Sequence, residues 1–184
     1  MEYDLQDHRA LASETVFNGR VVKVLLEDVR LPDGRTARWE RVVHPGAVGI
    51  VPLREDGTVL MVRQYRHAVG GTLLEIPAGK LDRGELPLEC ARRELTEEVG
   101  CSAREWVKLA EFYNSPGYSD EFFHLYLARS LVPGEAQSED DEFLVVERVG
   151  LQELLAMIHG GDLKDAKSII GITLTKLYLE GGIG

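Results

Sequence analysis

The stretch Gly79-Lys-Leu-Asp-Arg-Gly-Glu85-Leu-Pro-Leu-Glu-Cys-Ala-Arg-Arg93-Glu94-Leu-Thr-Glu97-Glu98-Val-Gly100-Cys101 decides how the rest of the chain is read. It opens as a loop carrying Gly79 and Gly84 and runs into Pro87, whose fixed φ and missing N–H suit the first turn of a helix. Leu88, Ala91, Leu95 and Val99 then recur at helical spacing and predict a buried stripe. Gly100 stands where a helix takes a left-handed closing residue. The segment therefore reads as loop, helix, stop. Glu94 and Glu98 are four residues apart and share a face, with Glu97 beside them. Carboxylates crowded toward a helix C-terminus repel one another and oppose the macrodipole. A solvated acidic face is one reading of that pattern. The other is a bound hard cation such as Mg²⁺, which takes carboxylate and phosphate oxygens.

Upstream of this segment, residues 1–13 are polar and expected to be frayed or lightly docked. Thr15 to Arg30 reads as strand, tight Asn18-Gly19 turn, strand. Pro32-Asp33-Gly34 makes the next turn, and Arg35 to His44 a third strand. Three strands alone have a thin core and must pack on something. Ala47 to Leu53 begins a second region, and Thr58 to Arg66 and Thr72 to Gly79 are expected strands, the last delivering the loop. Downstream, Trp106 to Tyr113, Glu121 to Ala128 and Phe143 to Val149 are expected strands, and Leu151 to His159 and roughly Lys164 to Leu179 helices. In the last helix Ile169, Ile170, Ile172, Thr173, Leu177 and Tyr178 form the expected packed face. The order predicts an α+β fold, a mixed sheet held between helices and preceded by a small antiparallel sheet. Residues 1–45 and 46–184 are its two expected parts.

The chain has 184 residues and a net charge of −10, which argues against a nucleic-acid backbone or an anionic membrane as main partner. It does not argue against a phosphorylated small molecule, because a bound cation reverses the local field. The only cysteines, Cys90 and Cys101, lie too far apart along a helix to bridge, so a reduced, cytoplasmic protein is the simplest expectation. The first residues lack the apolar core of a signal peptide. The five histidines are scattered and suggest no chemistry.

The segment from Gly79 resembles the Nudix box, G-x5-E-x7-R-E-U-x-E-E-x-G-U, with U a bulky apolar residue. Gly79, Glu85, Arg93, Glu94, Glu97, Glu98 and Gly100 occupy its seven fixed positions. Leu95 fits the first U, and Cys101 is a small residue for the last. The resemblance implies a Nudix-type α/β/α sandwich and a metal-dependent hydrolase of nucleoside diphosphates linked to another group. It implies Mg²⁺, with Mn²⁺ the other candidate, held by Glu94, Glu97, Glu98 and the Ala78 carbonyl. Glu97 and Glu98 then also count as catalytic, while Gly79, Glu85 and Arg93 support the loop.

Pro116, in Asn114-Ser115-Pro116-Gly117, lies sixteen residues beyond Gly100, a spacing that resembles the ADP-sugar pyrophosphatase branch. Ser-Pro-Gly is also a good turn anywhere. By the same resemblance Ser115 and Pro116 border the substrate, Arg66 contacts its phosphate and Glu121 its terminal ribose. Arg66 is otherwise a surface arginine, and Glu121 a solvated strand end. Trp39 stacks on adenine or is a half-buried core residue. Glu139 and Glu142, within Glu139-Asp-Asp-Glu142, are candidates for the general base, though such a charge run is by default a solvated loop. The implied reaction converts ADP-ribose or a related ADP-sugar to AMP and a sugar phosphate. The alternatives are hydrolysis of GDP-mannose or of nucleoside triphosphates, and an ADP-ribose-binding sensor. A homodimer built through residues 1–45 is implied by the same likeness.

Overall fold

The computed structural model describes residues 4, 6–135 and 143–182. The chain forms two compact units. One runs to Gly46 and takes in Phe112–Phe122; the other comprises Ala47–Glu111 and the chain from Phe123 onward.

The first unit holds an antiparallel sheet of β1 (Arg9–Asn18), β2 (Lys23–Arg30) and β3 (Thr36–Val43). Its first strand corrects the expectation for residues 9–13, which are paired rather than frayed: Arg9 lies opposite Arg30 and Ala10 opposite Val29. Every residue of β1 is exposed, so no alternation of buried and exposed positions marked the strand. The expected hairpin forms between β1 and β2, with a loop that runs from Gly19 to Val22. Asn18 ends β1 opposite Lys23, and the loop closes with Gly19 N–H donating to the Val22 carbonyl at 2.9 Å. A β-carbon on Gly19 would meet the Phe17 ring at 2.6 Å, so that exposed side chain would have to turn aside. The 112–122 segment is stitched to the end of β3. Val42 N–H donates to the Tyr118 carbonyl at 2.7 Å, and Asp120 N–H to the Val42 carbonyl at 3.1 Å.

The second unit carries, wholly or in greater part, β4 (Ala47–Pro52), β5 (Thr58–Arg66), β6 (Gly71–Glu75), β7 (Ala78–Lys80), β8 (Cys101–Tyr113), β9 (Phe122–Pro133) and β10 (Leu144–Gly150). Its helices are α1 (Pro87–Val99), α2 (Leu151–Gly160) and α3 (Ala166–Leu179). One sheet is mixed, in the order β7-β4-β9-β8, with β4 parallel to β9; the other is antiparallel, β10-β5-β6. The run from Thr72 to Gly79, expected as one strand, is two. The chain leaves one sheet at Glu75 and joins the other at Ala78. Pro77 between them has no N–H for a ladder, but its carbonyl accepts from Ile50 N–H at 2.9 Å. The result is a mixed α+β fold.

All six residues of β4 are buried, as befits a strand covered on both faces. Helices α1 and α3 both pack on it. Val48, Ile50, Leu60 and Val62 meet Cys90, Ala91, Leu95 and Val99 of α1 in one core cluster. Leu95 is fully buried, worth about 1.5–3 kcal/mol over an exposed position. Leu88 is only partly buried, and Cys90 takes its place in the stripe. The expected apolar face of α3 also needs correction. Ser168, Gly171, Ile172 and Thr175 are buried, whereas Thr173 and Leu177 are exposed. Small residues let α3 lie close: a β-carbon on Gly171 would sit 2.9 Å from Val51 Cγ2. Among the described residues, no helix is long and apolar enough to cross a membrane.

Candidate active site

The loop before α1 is built by short-range bonds. Gly84 takes φ 81°, and Glu85 N–H donates to the Asp82 carbonyl at 3.0 Å. The Glu85 carboxylate turns back to accept Asp82 N–H at 3.0 Å. Pro87 opens α1 without a side-chain cap, and Gly100, at φ 67°, closes it. Gly79 cannot be larger, because a β-carbon there would overlap the Glu94 carboxylate. The loop and the helix are thus pressed together at Gly79 and Glu94.

Arg93 joins them. Its Nε and Nη2 donate to the two Glu85 oxygens at 2.9 and 3.0 Å, and Nη2 also reaches the Lys80 carbonyl at 3.2 Å. On the other side, Nη1 donates to Glu94 at 2.7 Å and to Glu97 at 2.9 Å. One delocalised cation therefore offsets Glu85 together with two of the crowded helix carboxylates, Glu94 and Glu97. The Arg93 guanidinium holds the Glu85 carboxyl down at about 2.

Glu94 and Glu98 are 8% and 3% exposed, so the reading of a solvated acidic face does not hold. Glu98 Oε2 accepts the Ala78 N–H at 3.0 Å, which sets that carboxylate beside the Ala78 backbone. The donor chemistry suits a hard divalent cation: carboxylate oxygens from one helix face, and a backbone carbonyl at the start of β7. One oxygen of Glu94 and one of Glu97 are engaged by Arg93, and among the described residues no three His, Cys, Asp or Glu side chains stand grouped as metal ligands.

Arg66 lies at the end of β5, in the same unit. Its Nε and Nη2 donate to the two oxygens of Glu75, each at 2.8 Å. Glu75 also accepts from Lys167 Nζ and is 1% exposed. Burial alone would raise the Glu75 carboxyl, but Arg66 and Lys167 outweigh it and hold it below its ordinary range. Sequence reasoning passed over Glu75 and Lys167. The available signal was an acidic residue inside the apolar run Leu73-Leu74-Glu75-Ile76.

Trp39, Ser115, Pro116 and Glu121 belong to the first unit. Trp39 is 46% exposed, and its ring lies 5.6 Å from that of His8. Ser115 starts a turn around Pro116, its carbonyl accepting from Tyr118 N–H at 3.1 Å and Ser119 N–H at 2.9 Å. Glu121 Oε1 lies 4.0 Å from His44 Nδ1. Glu139 and Glu142 fall outside the described residues.

A mixed α+β scaffold presenting buried helix carboxylates beside a glycine loop is the frame of a hydrolase that works on phosphate-bearing substrates. The family profile described as NUDIX domain matches residues 43–169. The chain belongs to the Nudix family of hydrolases. It is 39% identical to the ADP-ribose pyrophosphatase of Bacillus subtilis (strain 168), over 93% of this chain and 94% of that protein. It is 44% identical to the ADP-ribose pyrophosphatase of Mycobacterium tuberculosis (strain ATCC 25618 / H37Rv), over 95% and 86%. A solved structure titled as that of an ADP compounds hydrolase superposes with a TM-score of 0.87 at 28% identity, over 98% of both chains. Dependence on a divalent metal is general in the family.

Proposed function

We propose that this hydrolase cleaves the diphosphate bond of ADP-ribose or a related ADP-sugar, with water, to AMP and a sugar phosphate. The observation that carries the reading is the placement of Glu94 and Glu98 on one buried face of α1, with Glu98 bonded to the Ala78 N–H at the start of β7. Two relatives named for ADP-ribose support the nucleotide. Glu94, Glu97, Glu98 and the Ala78 carbonyl are the residues that would hold the metal, with Mg²⁺ the natural choice for oxygen donors and substrate phosphates. When bound, such a metal neutralises phosphate oxygens and acidifies water.

The chain's own residues supply the rest. Gly79, Glu85 and Arg93 fix the loop against the helix, so the carboxylates keep their places when the substrate's charge arrives. Arg66 offers a planar fork to a phosphate. Trp39, Ser115, Pro116 and Glu121 serve the nucleoside and sugar ends. A glutamate takes the proton from the attacking water, Glu139 or Glu142 being the candidates besides the helix carboxylates, and positioned proton removal is worth about 10²–10⁴-fold. In this reading residues 46–184 form the catalytic domain, and residues 1–45 build a homodimer and reach the substrate. The enzyme works in the cytoplasm.

The test is product release from a panel of ADP-ribose, ADP-glucose, GDP-mannose and dGTP, with and without Mg²⁺. Metal-dependent AMP release fastest from ADP-ribose supports the reading. Preference for GDP-mannose or dGTP contradicts the substrate assignment, and tight ADP-ribose binding without turnover contradicts the activity.

A further inference from the structure

Glu75 is the least exposed carboxylate among the described residues, at 1%, and none of the roles assigned above uses it. It closes β6 in a register that sets it opposite Val62, while Arg66, four residues on in β5, lies opposite Gly71. The two side chains meet across this hairpin in a bidentate pair, with both bonds at 2.8 Å. Lys167 donates to the same carboxylate and to Asp165 Oδ1 at 2.8 Å. Asp165 caps α3 by accepting Ser168 N–H at 3.0 Å, and Ser168 Oγ accepts Ile76 N–H at 2.8 Å. The first turn of α3 thus holds Glu75 twice, through Lys167 and through the neighbouring backbone.

Stability alone is a weak reason for such a network, since a buried ion pair often does no better than apolar residues of similar size. The network is also asymmetric. The Glu75 carboxylate is sealed, whereas the Arg66 side chain is 41% exposed. A guanidinium presents five N–H donors in a rigid fork. Glu75 takes the Nε and Nη2 donors, which leaves the Nη1 donors of the fork for a second planar or phosphate oxyanion.

We propose that Glu75 and Lys167 are positioning residues that hold Arg66 with its Nη1 edge presented to an oxygen of the substrate's diphosphate. The proposal rests on the diphosphate reading given above. Glu75 removes the rotamer freedom that a lone arginine would lose on binding, and Lys167 keeps Glu75 charged and in place.

The test is a double-mutant cycle read as affinity for inorganic pyrophosphate, measured by calorimetry on the full chain. Glu75→Gln weakens binding about tenfold, and Arg66→Ala at least as much. In the Arg66→Ala background, Glu75→Gln has no further effect, because Glu75 acts only through Arg66. Lys167→Met weakens binding in the Arg66 background and not in the Arg66→Ala background; it stands in if Glu75→Gln does not fold. Additive effects, wild-type affinity in Glu75→Gln or Lys167→Met, or no pyrophosphate binding by the wild type overturn the proposal. A wild type that binds pyrophosphate with the coupled pattern but does not turn over ADP-ribose overturns only the substrate reading.

Discussion

Arg93 donates from Nε and Nη2 to the two oxygens of Glu85, at 2.9 and 3.0 Å, and so closes the loop onto α1. The guanidinium holds the Glu85 carboxyl at about 2, below its ordinary value of 4.5. A depressed carboxylate contributes stability that is fully present above the unfolded value and is lost as pH falls through the folded one. Glu85→Gln is therefore expected to unfold at lower urea than wild type at pH 7, by about 1–2 kcal/mol. The two midpoints converge as pH falls from about 4.5 to about 2. A difference that stays constant across that window contradicts the assignment.

Gly79→Ala tests the contact between loop and helix. The added methyl meets the Glu94 carboxylate, so either the loop or that side chain must move. We expect a loss of about 1–3 kcal/mol in denaturant unfolding, together with a fall in turnover. Unchanged activity and stability would show that the loop yields freely.

Ser168→Ala tests the support beneath α3. Ser168 is fully buried, accepts the Ile76 N–H and is bonded to Asp165. Truncation leaves the Ile76 donor without its partner, at a cost of about 1–3 kcal/mol. Thermal unfolding measures it, and a shift within error of zero removes Ser168 from the account.

The helix α1 was legible almost to the residue because each of its limits is a local signal. Pro87 fits a first turn, Leu95 and Val99 mark the buried side, and Gly100 takes the left-handed closing position. The carboxylate cluster was legible for the same reason, since Glu94 and Glu98 are neighbours through helical spacing alone. What organises that cluster was less so. Arg93 offsets the charge that the sequence left for a cation to relieve. The Glu75 network joins residues 92 positions apart, and no local pattern announces a pair set by the meeting of β6 and α3. β1 escaped notice from Arg9 to Ser13 because a strand exposed along its whole length carries no period of two. Asn18-Gly19 marked the hairpin, but its loop runs on to Val22 before Lys23 opens β2.

Cys90 gives a probe of the same region. Burial raises its thiol well above the usual range, and the nearby Glu85 carboxylate adds to the effect. Iodoacetamide at pH 8 is expected to leave Cys90 unmodified in the folded protein and to modify it in guanidinium, as read by mass spectrometry. Rapid labelling of the native protein contradicts its place in the core.

The central claim is that the buried carboxylates of α1 serve catalysis rather than the fold. Glu98→Gln tests it most directly, because glutamine keeps an oxygen to accept the Ala78 N–H and removes the charge. The measurement is AMP release from ADP-ribose with and without Mg²⁺, alongside the melting temperature. Metal-dependent release by the wild type and a loss of about 10²–10⁴-fold in the variant are expected. The melting temperature should shift by only about 2–4 °C. A variant that keeps the wild-type rate with the same dependence on metal contradicts the claim.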